Sequence, residues 1–168
     1  PSPFPYMESA ILVLAKNLPD PRQSEYYASL AKVILDSAEG AGGKTLCLFT
    51  SHRSIRRVYD LMQKQRGRSR LHILAQGISG STQNIIKRLR EDSNCVVLGT
   101  ASLWEGIDIK GEALELLIIT RLPFGVPTDP IYQARSETYE NPFIQYALPN
   151  AILRFRQGFG RLIRSSTD

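Results

Sequence analysis

Cysteine is scarce in this chain of 168 residues: there are two, Cys47 and Cys95, and each falls inside an apolar run. Thiols so placed read as buried and free, in a reducing compartment, and not as a disulfide framework or a metal site. Long apolar stretches are missing as well. No segment reads as a membrane-spanning helix, and the N-terminus lacks the charged-then-apolar pattern of a secretory signal, so a cytoplasmic location with no membrane partner is expected. No initiator Met precedes "PSPFPYM", which leads us to expect a piece of a longer polypeptide. No internal repeat, low-complexity tract or internal linker divides the chain, and its length suits one domain with a real core. Acidic residues are in deficit, 16 Asp and Glu against 21 Lys and Arg. That mild imbalance fits a polyanionic partner and an ordinary basic soluble protein about equally.

What is present is an alternation of strand and helix signals. "AILVLA" (10–15) reads as a first strand. Asp20-Pro21 then opens a helix, as N-cap and first helical residue, with Tyr26, Leu30, Val33 and Ile34 on one face and an end near Gly40. "TLCLFT" (45–50), "LHILA" (71–75), "CVVLGT" (95–100) and "LELLIIT" (114–120) are short apolar runs of the kind buried on both faces of a sheet. Between them lie a helix marked by Ile55, Val58, Tyr59 and Met62 and stopped by Gly67, and one capped by Ser81 with Ile85, Ile86 and Leu89 inward. A helix follows Asp129-Pro130, and a last one runs from about Pro149 to Arg164. This order predicts a three-layer α/β/α domain with a mostly parallel sheet.

"AEGAGGKT" (38–45) fits a phosphate-binding P-loop if its first glycine is relaxed to alanine. A working P-loop leaves a strand and opens a helix, whose N-terminal amides hold the phosphates. Here a helix ends and Lys44-Thr45 opens a strand. An NTPase of that class also needs an acid to hold magnesium, commonly at a strand end, whereas these strands end in Thr50, Ala75, Thr100 and Thr120. The three glycines Gly40, Gly42 and Gly43 therefore read as a helix stop and a turn.

Three other segments carry candidate chemistry. In "RFRQGFGRLIRS" (154–165), helical spacing gathers Gln157, Arg161 and Arg164 in one sector and sets Ile152, Phe155, Phe159, Leu162 and Ile163 opposite. Two guanidinium forks three residues apart suit adjacent oxygens of one phosphate. Gly158 and Gly160 each cost about 1 kcal/mol against Ala inside a helix, which hints at a close approach to the backbone. The competing reading is a solvated basic face. "GTASLWEGIDIKG" (99–111) leaves the carboxyl end of a buried strand, where α/β sheets place ligands. Thr100 can donate to a phosphate there and Asp108 can accept from a ribose hydroxyl, while Trp104 reads as a packed residue; an ordinary surface loop is the alternative. In "LFTSHRSIRR" (48–57) a strand ends in Thr50-Ser51 and a basic helix follows. Arg53, Arg56, Arg57, Lys64, Arg66, Arg68 and Arg70 crowd this region with the single acid Asp60. Hydroxyls, a helix N-terminus and arginines together suit a nucleic-acid backbone, and a charged helix and loop are the plain alternative.

These segments, in this order, resemble the second motor domain of superfamily 2 helicases, and most closely the DinG-type, XPD-like DNA helicases. "LFTS" looks like motif IV, "GTASLWEGIDIKG" like motif V, and "QGFGRLIR" like the Q-x-x-G-R-x-I-R motif VI, the most specific of the three. "SPFPYMESAILVLAKNLPDP" and "RLPFGVPTDP" resemble the family's passages into the domain and beyond motif V. The resemblance implies a RecA-like fold over residues 1–168, with 1–20 as a lead-in segment, and ATP with magnesium in a cleft shared with a first RecA-like domain that this chain lacks. It implies that Arg161 and Arg164 are arginine fingers at the γ-phosphate with Gln157 beside them. Gly106, Asp108 and Glu105 would line the nucleotide side. Thr50, Ser51, Thr100 and Arg53 would meet single-stranded DNA. No resident metal site is implied, and the chain alone is expected to hold no cofactor and to turn over no ATP. The family's sheet commonly has one more strand than is found before Asp168. An inert nucleic-acid-binding scaffold of the same fold, or a stand-alone P-loop NTPase, are the rival readings.

Overall fold

A computed structural model of the chain describes residues 10–100, 103 and 114–159. Four strands form one sheet: β1 (Thr45–Phe49), β2 (His72–Ala75), β3 (Cys95–Thr100) and β4 (Leu116–Ile119). All pairs are parallel and the order is β2-β3-β1-β4, so β1 and β3 are central. The helices are α1 (Tyr26–Gly40), α2 (His52–Gln65), α3 (Thr82–Glu91), α4 (Pro130–Ser136) and α5 (Leu148–Phe159), with a π-helical turn at Phe143–Ala147 leading into α5. The predicted three-layer α/β architecture is present.

Parallel strands need crossovers, and the crossover helices cover both faces of the sheet. The strand residues alternate between two cores. On one side Cys47, Phe49, Ile73, Ala75, Val96 and Leu98 meet Leu30, Ile34 and Ala38 of α1 and Ile55, Val58 and Met62 of α2. On the other Leu46, Leu48, Leu74, Cys95 and Val97 meet Ile85 and Leu89 of α3 together with Leu103 and Leu114. The 3.6-residue spacing of the apolar positions selects the buried face of each helix. Ser51 and Ser81 cap α2 and α3 by accepting from the amides of Ser54 and Asn84, and Asp129 caps α4 with Pro130 at its first position. Both cysteines are free and buried; burial pushes Cys95 up to about 12 and Cys47 further.

Four expectations are corrected. Residues 10–15 form no strand, and Ile11, Leu12, Val13 and Leu14 are exposed, Ile11 by 93%. An apolar run becomes a strand only when a neighbour supplies its ladder, and none of the described strands does so here. Asp20 caps a turn rather than α1: its carboxylate takes the Arg22 amide and guanidinium, and α1 begins at Tyr26 without a side-chain cap. The strand β4 is half-buried rather than buried: it is an outer strand of the described sheet, and unlike β2, the other outer strand, none of its residues is buried. In α5 the inward stripe is Ala147 (in the π turn before it), Ala151 and half-buried Phe155, while Ile152 is 49% exposed. Phe155 is thus inward as expected and Ile152 is not, while the Phe159 side chain, Leu162 and Ile163 lie outside the described residues.

Candidate functional site

Because all four strands are parallel, their carboxyl ends lie on one edge of the sheet, where open α/β folds place ligands. The described residues there are hydroxyls and amides, with arginines beside them and no acid at a strand end. Ser51 follows β1 and starts α2 with extended backbone (φ −153°). Its Oγ accepts from the Ser54 amide at 3.2 Å and lies 2.9 Å from Ser54 Oγ. Thr50 and Arg53 flank it and are exposed. Thr100 closes β3 opposite Phe49 of β1. Thr120, just past β4, donates its hydroxyl to Leu48 O at 2.9 Å.

Gln76, just past β2, is a residue the sequence reading missed. Its Oε1 accepts from both the amide and the hydroxyl of Thr100, at 2.8 and 3.0 Å. An amide N–H can only donate, so the Gln76 atom facing it must be the oxygen, which settles which way the side-chain amide points. The same oxygen then takes the Thr100 hydroxyl hydrogen. Donation by Thr100 to a phosphate therefore requires this bond to open, whereas acceptance from a donor does not. The available signal was the position alone: a glutamine at the carboxyl end of an apolar strand.

The glycine-rich turn lies at the opposite, amino edge. Gly43 (φ +98°) faces Ser93 O and the Asn94 Cα so closely that a Cβ would collide with both. The Lys44 amide donates to Ser93 O at 3.1 Å, and the Lys44 ammonium pairs with Glu115 at 2.9 Å. Lys44 itself has φ +33°. This turn joins α1 to β1 and packs against the start of β3. It aims no helix N-terminus at a phosphate, so the P-loop reading fails on geometry. Among the described residues no group of three or more His, Cys, Asp or Glu gathers to hold a metal, and no described strand ends in an acid.

Of the other predicted residues, Gln157 lies exposed on α5. Arg161 and Arg164, with Glu105, Gly106 and Asp108, lie outside the described residues, as does Trp104. The structure thus brings Thr50, Ser51, Arg53 and Thr100 to one edge, with Gln76 added to them.

Residues 34–168 match the Helicase C-terminal domain family. Among curated proteins, the chain is 36% identical over 172 residues to the ATP-dependent DNA helicase YoaA of Escherichia coli, spanning all of this chain and 26% of that protein. It is 37% identical over 175 residues to the 3'-5' exonuclease DinG of Bacillus subtilis, covering 99% of this chain and 19% of that protein. It is 37% identical to the ATP-dependent helicase DinG of Mycobacterium tuberculosis, covering 25% of it. The chain therefore spans about a quarter or less of the length of these relatives. The solved structure of T4 UvsW aligns over 83% of this chain at 12% identity with a TM-score of 0.44. No described helix is long and apolar enough to cross a membrane. With the α/β architecture, the row of polar strand ends and a family match over residues 34–168, the chain belongs to the helicase C-terminal domain family, of the DinG and YoaA type.

Proposed function

We propose that this chain, residues 1–168, is the second RecA-like motor domain of an ATP-dependent DNA helicase acting in DNA repair or replication. The observation that carries the reading is the family match over the region holding all three motifs, on a sheet whose carboxyl edge is lined with hydroxyls. In the intact enzyme a first RecA-like domain would supply the phosphate cradle and the magnesium ligands, since the glycine-rich turn here is turned away from any such task. This chain would supply Arg161 and Arg164 to the γ-phosphate, with Gln157 beside them, and Glu105, Gly106 and Asp108 to the nucleotide side. Thr50, Ser51, Thr100 and Arg53 would hold single-stranded DNA by its backbone, a contact that carries no sequence information. The chain on its own would then bind ATP weakly at best and hydrolyse none, in the cytoplasm as elsewhere.

The test is DNA-stimulated ATP hydrolysis by the full-length protein. A finger acts on charge that develops as the γ-phosphate leaves, so Arg164→Ala is expected to cut turnover far more than nucleotide affinity. The expected loss is about 10³ to 10⁵, on the order of 4 to 7 kcal/mol. Arg164→Lys should restore little, because an ammonium lacks the planar fork. Arg161→Ala should also be severe, and Gln157→Ala milder. Near-normal turnover by a folded Arg164→Ala protein refutes the finger assignment. Absence of DNA-stimulated hydrolysis in the wild-type full-length protein favours the inert scaffold instead.

A further inference from the structure

We propose that Arg57 and Arg121, each laid on a tyrosine ring, form a pre-organised clamp for two phosphates of a nucleic-acid strand running along the carboxyl edge of the sheet. The proposal rests on the nucleic-acid reading above; it adds Arg121 and the two tyrosines, and gives Arg57, one of the arginines of residues 48–57, a fixed place.

The placement follows from topology. The turn at 41–44 reverses the chain, so α1 runs back along β1 and its first turn, bearing Tyr26 and Tyr27, sits at the carboxyl edge. Arg57 reaches Tyr27 from α2, with its guanidinium carbon 4.4 Å from the ring centre. Arg121, two residues past β4, lies 5.6 Å from the centre of the Tyr26 ring. The two rings meet edge to face at 5.2 Å. Both are anchored. Tyr26 is 4% exposed, and the Tyr27 hydroxyl lies 3.3 Å from Ser54 Oγ, which in turn lies 2.9 Å from Ser51 Oγ. The arginine platform is therefore wired to the serine that caps α2.

A guanidinium held over a ring within about 6 Å is attracted by the ring's electrons, and its N–H groups can still fork onto phosphate oxygens. Among the described residues no carboxylate pairs with either arginine. Ordering a long arginine normally costs rotamer freedom on binding, and a side chain already stacked has surrendered much of it beforehand. A strand rather than a single phosphate group is indicated by the layout. Gln76, Thr100, Ser51 and Arg121 lie at the carboxyl ends of β2, β3, β1 and β4, which is the spatial order of the sheet, so the polar groups form a line across it.

The test is a fluorescence-anisotropy titration of this chain with labelled oligothymidylate over a range of NaCl concentrations, with inorganic pyrophosphate as competitor in a second arm. Each phosphate contact on a single strand contributes about 0.7 to the slope of log affinity against log salt. Arg57→Ala and Arg121→Ala are each expected to lower the slope by about 0.7, and the pair by about 1.4. Tyr27→Phe should keep wild-type binding, while Tyr27→Leu should weaken it with the slope unchanged, since the charge stays and only its platform goes. Both arginines are exposed, so the folded state, checked by circular dichroism, should survive their removal. An unchanged slope in the double variant, with binding intact, overturns the clamp and leaves the nucleic-acid reading standing. Failure of the wild-type chain to bind the oligonucleotide overturns both. Pyrophosphate that displaces the oligonucleotide from wild type but not from the double variant, at concentrations matched to one phosphate group per site, would reassign the pair to a small phosphate ligand.

Discussion

Replacing the three glycines of the α1–β1 turn by alanine, one at a time, should give three different answers, and all three can be worked from the backbone. Gly43 is the severe case. Its φ of +98° is costly for any residue with a Cβ, about 1–2 kcal/mol. The new Cβ would also press on Ser93 O and on the Asn94 Cα, 2.7 Å away, and neither is a side chain that can swing aside. Forcing atoms into a packed site costs about 1–3 kcal/mol. Relief by moving the strands apart would break the Lys44 N–H to Ser93 O bond, a net loss of about 1 kcal/mol. The sum is about 3–6 kcal/mol, a fall in melting temperature on the order of 10 °C for a domain of this size. Gly42 has φ +75° but nothing within 4 Å of a Cβ, so only the backbone strain remains, about 1 kcal/mol. Gly40 is the last residue of α1, has open space, and is not in the left-handed region, so alanine there should stabilise by up to about 0.5–1 kcal/mol. The assay is urea denaturation of the four proteins, read as midpoint at constant slope. A Gly43→Ala midpoint equal to wild type, or a Gly40→Ala midpoint below that of Gly43→Ala, refutes the reasoning.

Two further outcomes are expected of the folded chain. Burial works to raise the Asp92 carboxyl, but hydrogen bonds from His72 and the Asn94 amide, with the charges of His72 and Arg88, outweigh it and hold the group below its usual value. The stability this carries is complete above the unfolded-state pKa and is lost as pH falls through the lower folded-state one. Melting curves in acid should thus lose a step in Asp92→Asn that wild type shows, and identical acid profiles would refute it. Because burial pushes both thiols up, Cys95 to about 12, neither should react with a colorimetric disulfide reagent at neutral pH until denaturant is added. Stoichiometric reaction of either thiol in the native protein would refute that.

The fold was legible where burial is decided by near neighbours. The apolar runs at 45–50, 71–75 and 95–100 sit between helices whose own stripes are regular, so local pattern and tertiary position agree. It was illegible where burial depends on what lies further off. Ile11–Leu14 and the run around β4 look alike in sequence, yet one is exposed coil and the other an outer strand, because only the second has β1 beside it. The stripe of α5 was misread at Ile152, because alanine carries almost no weight in a hydrophobicity pattern and buried Ala151 was passed over for its larger neighbour. At the carboxyl edge, the positions of Ser51 and Thr100 at the ends of apolar runs were legible in the sequence. Gln76 and the tyrosines under Arg57 and Arg121 were not, because each acts through a partner distant in sequence.

The strand order also sets a timetable for synthesis. β1 is flanked by β3 and β4, with Thr45 paired opposite Val96 on one side and Leu116 on the other. When β1 leaves the ribosome, neither of its neighbours has been made. At about 5–20 residues per second, the roughly 70 residues separating β1 from β4 take about 4–14 s to appear. Until β3 follows, the apolar side of α1 and both edges of β1 have no sheet to join, and the β4 edge of β1 stays open for the whole interval. Slowing translation between residues 50 and 95 is therefore expected to lengthen the exposed stage rather than help the chain fold.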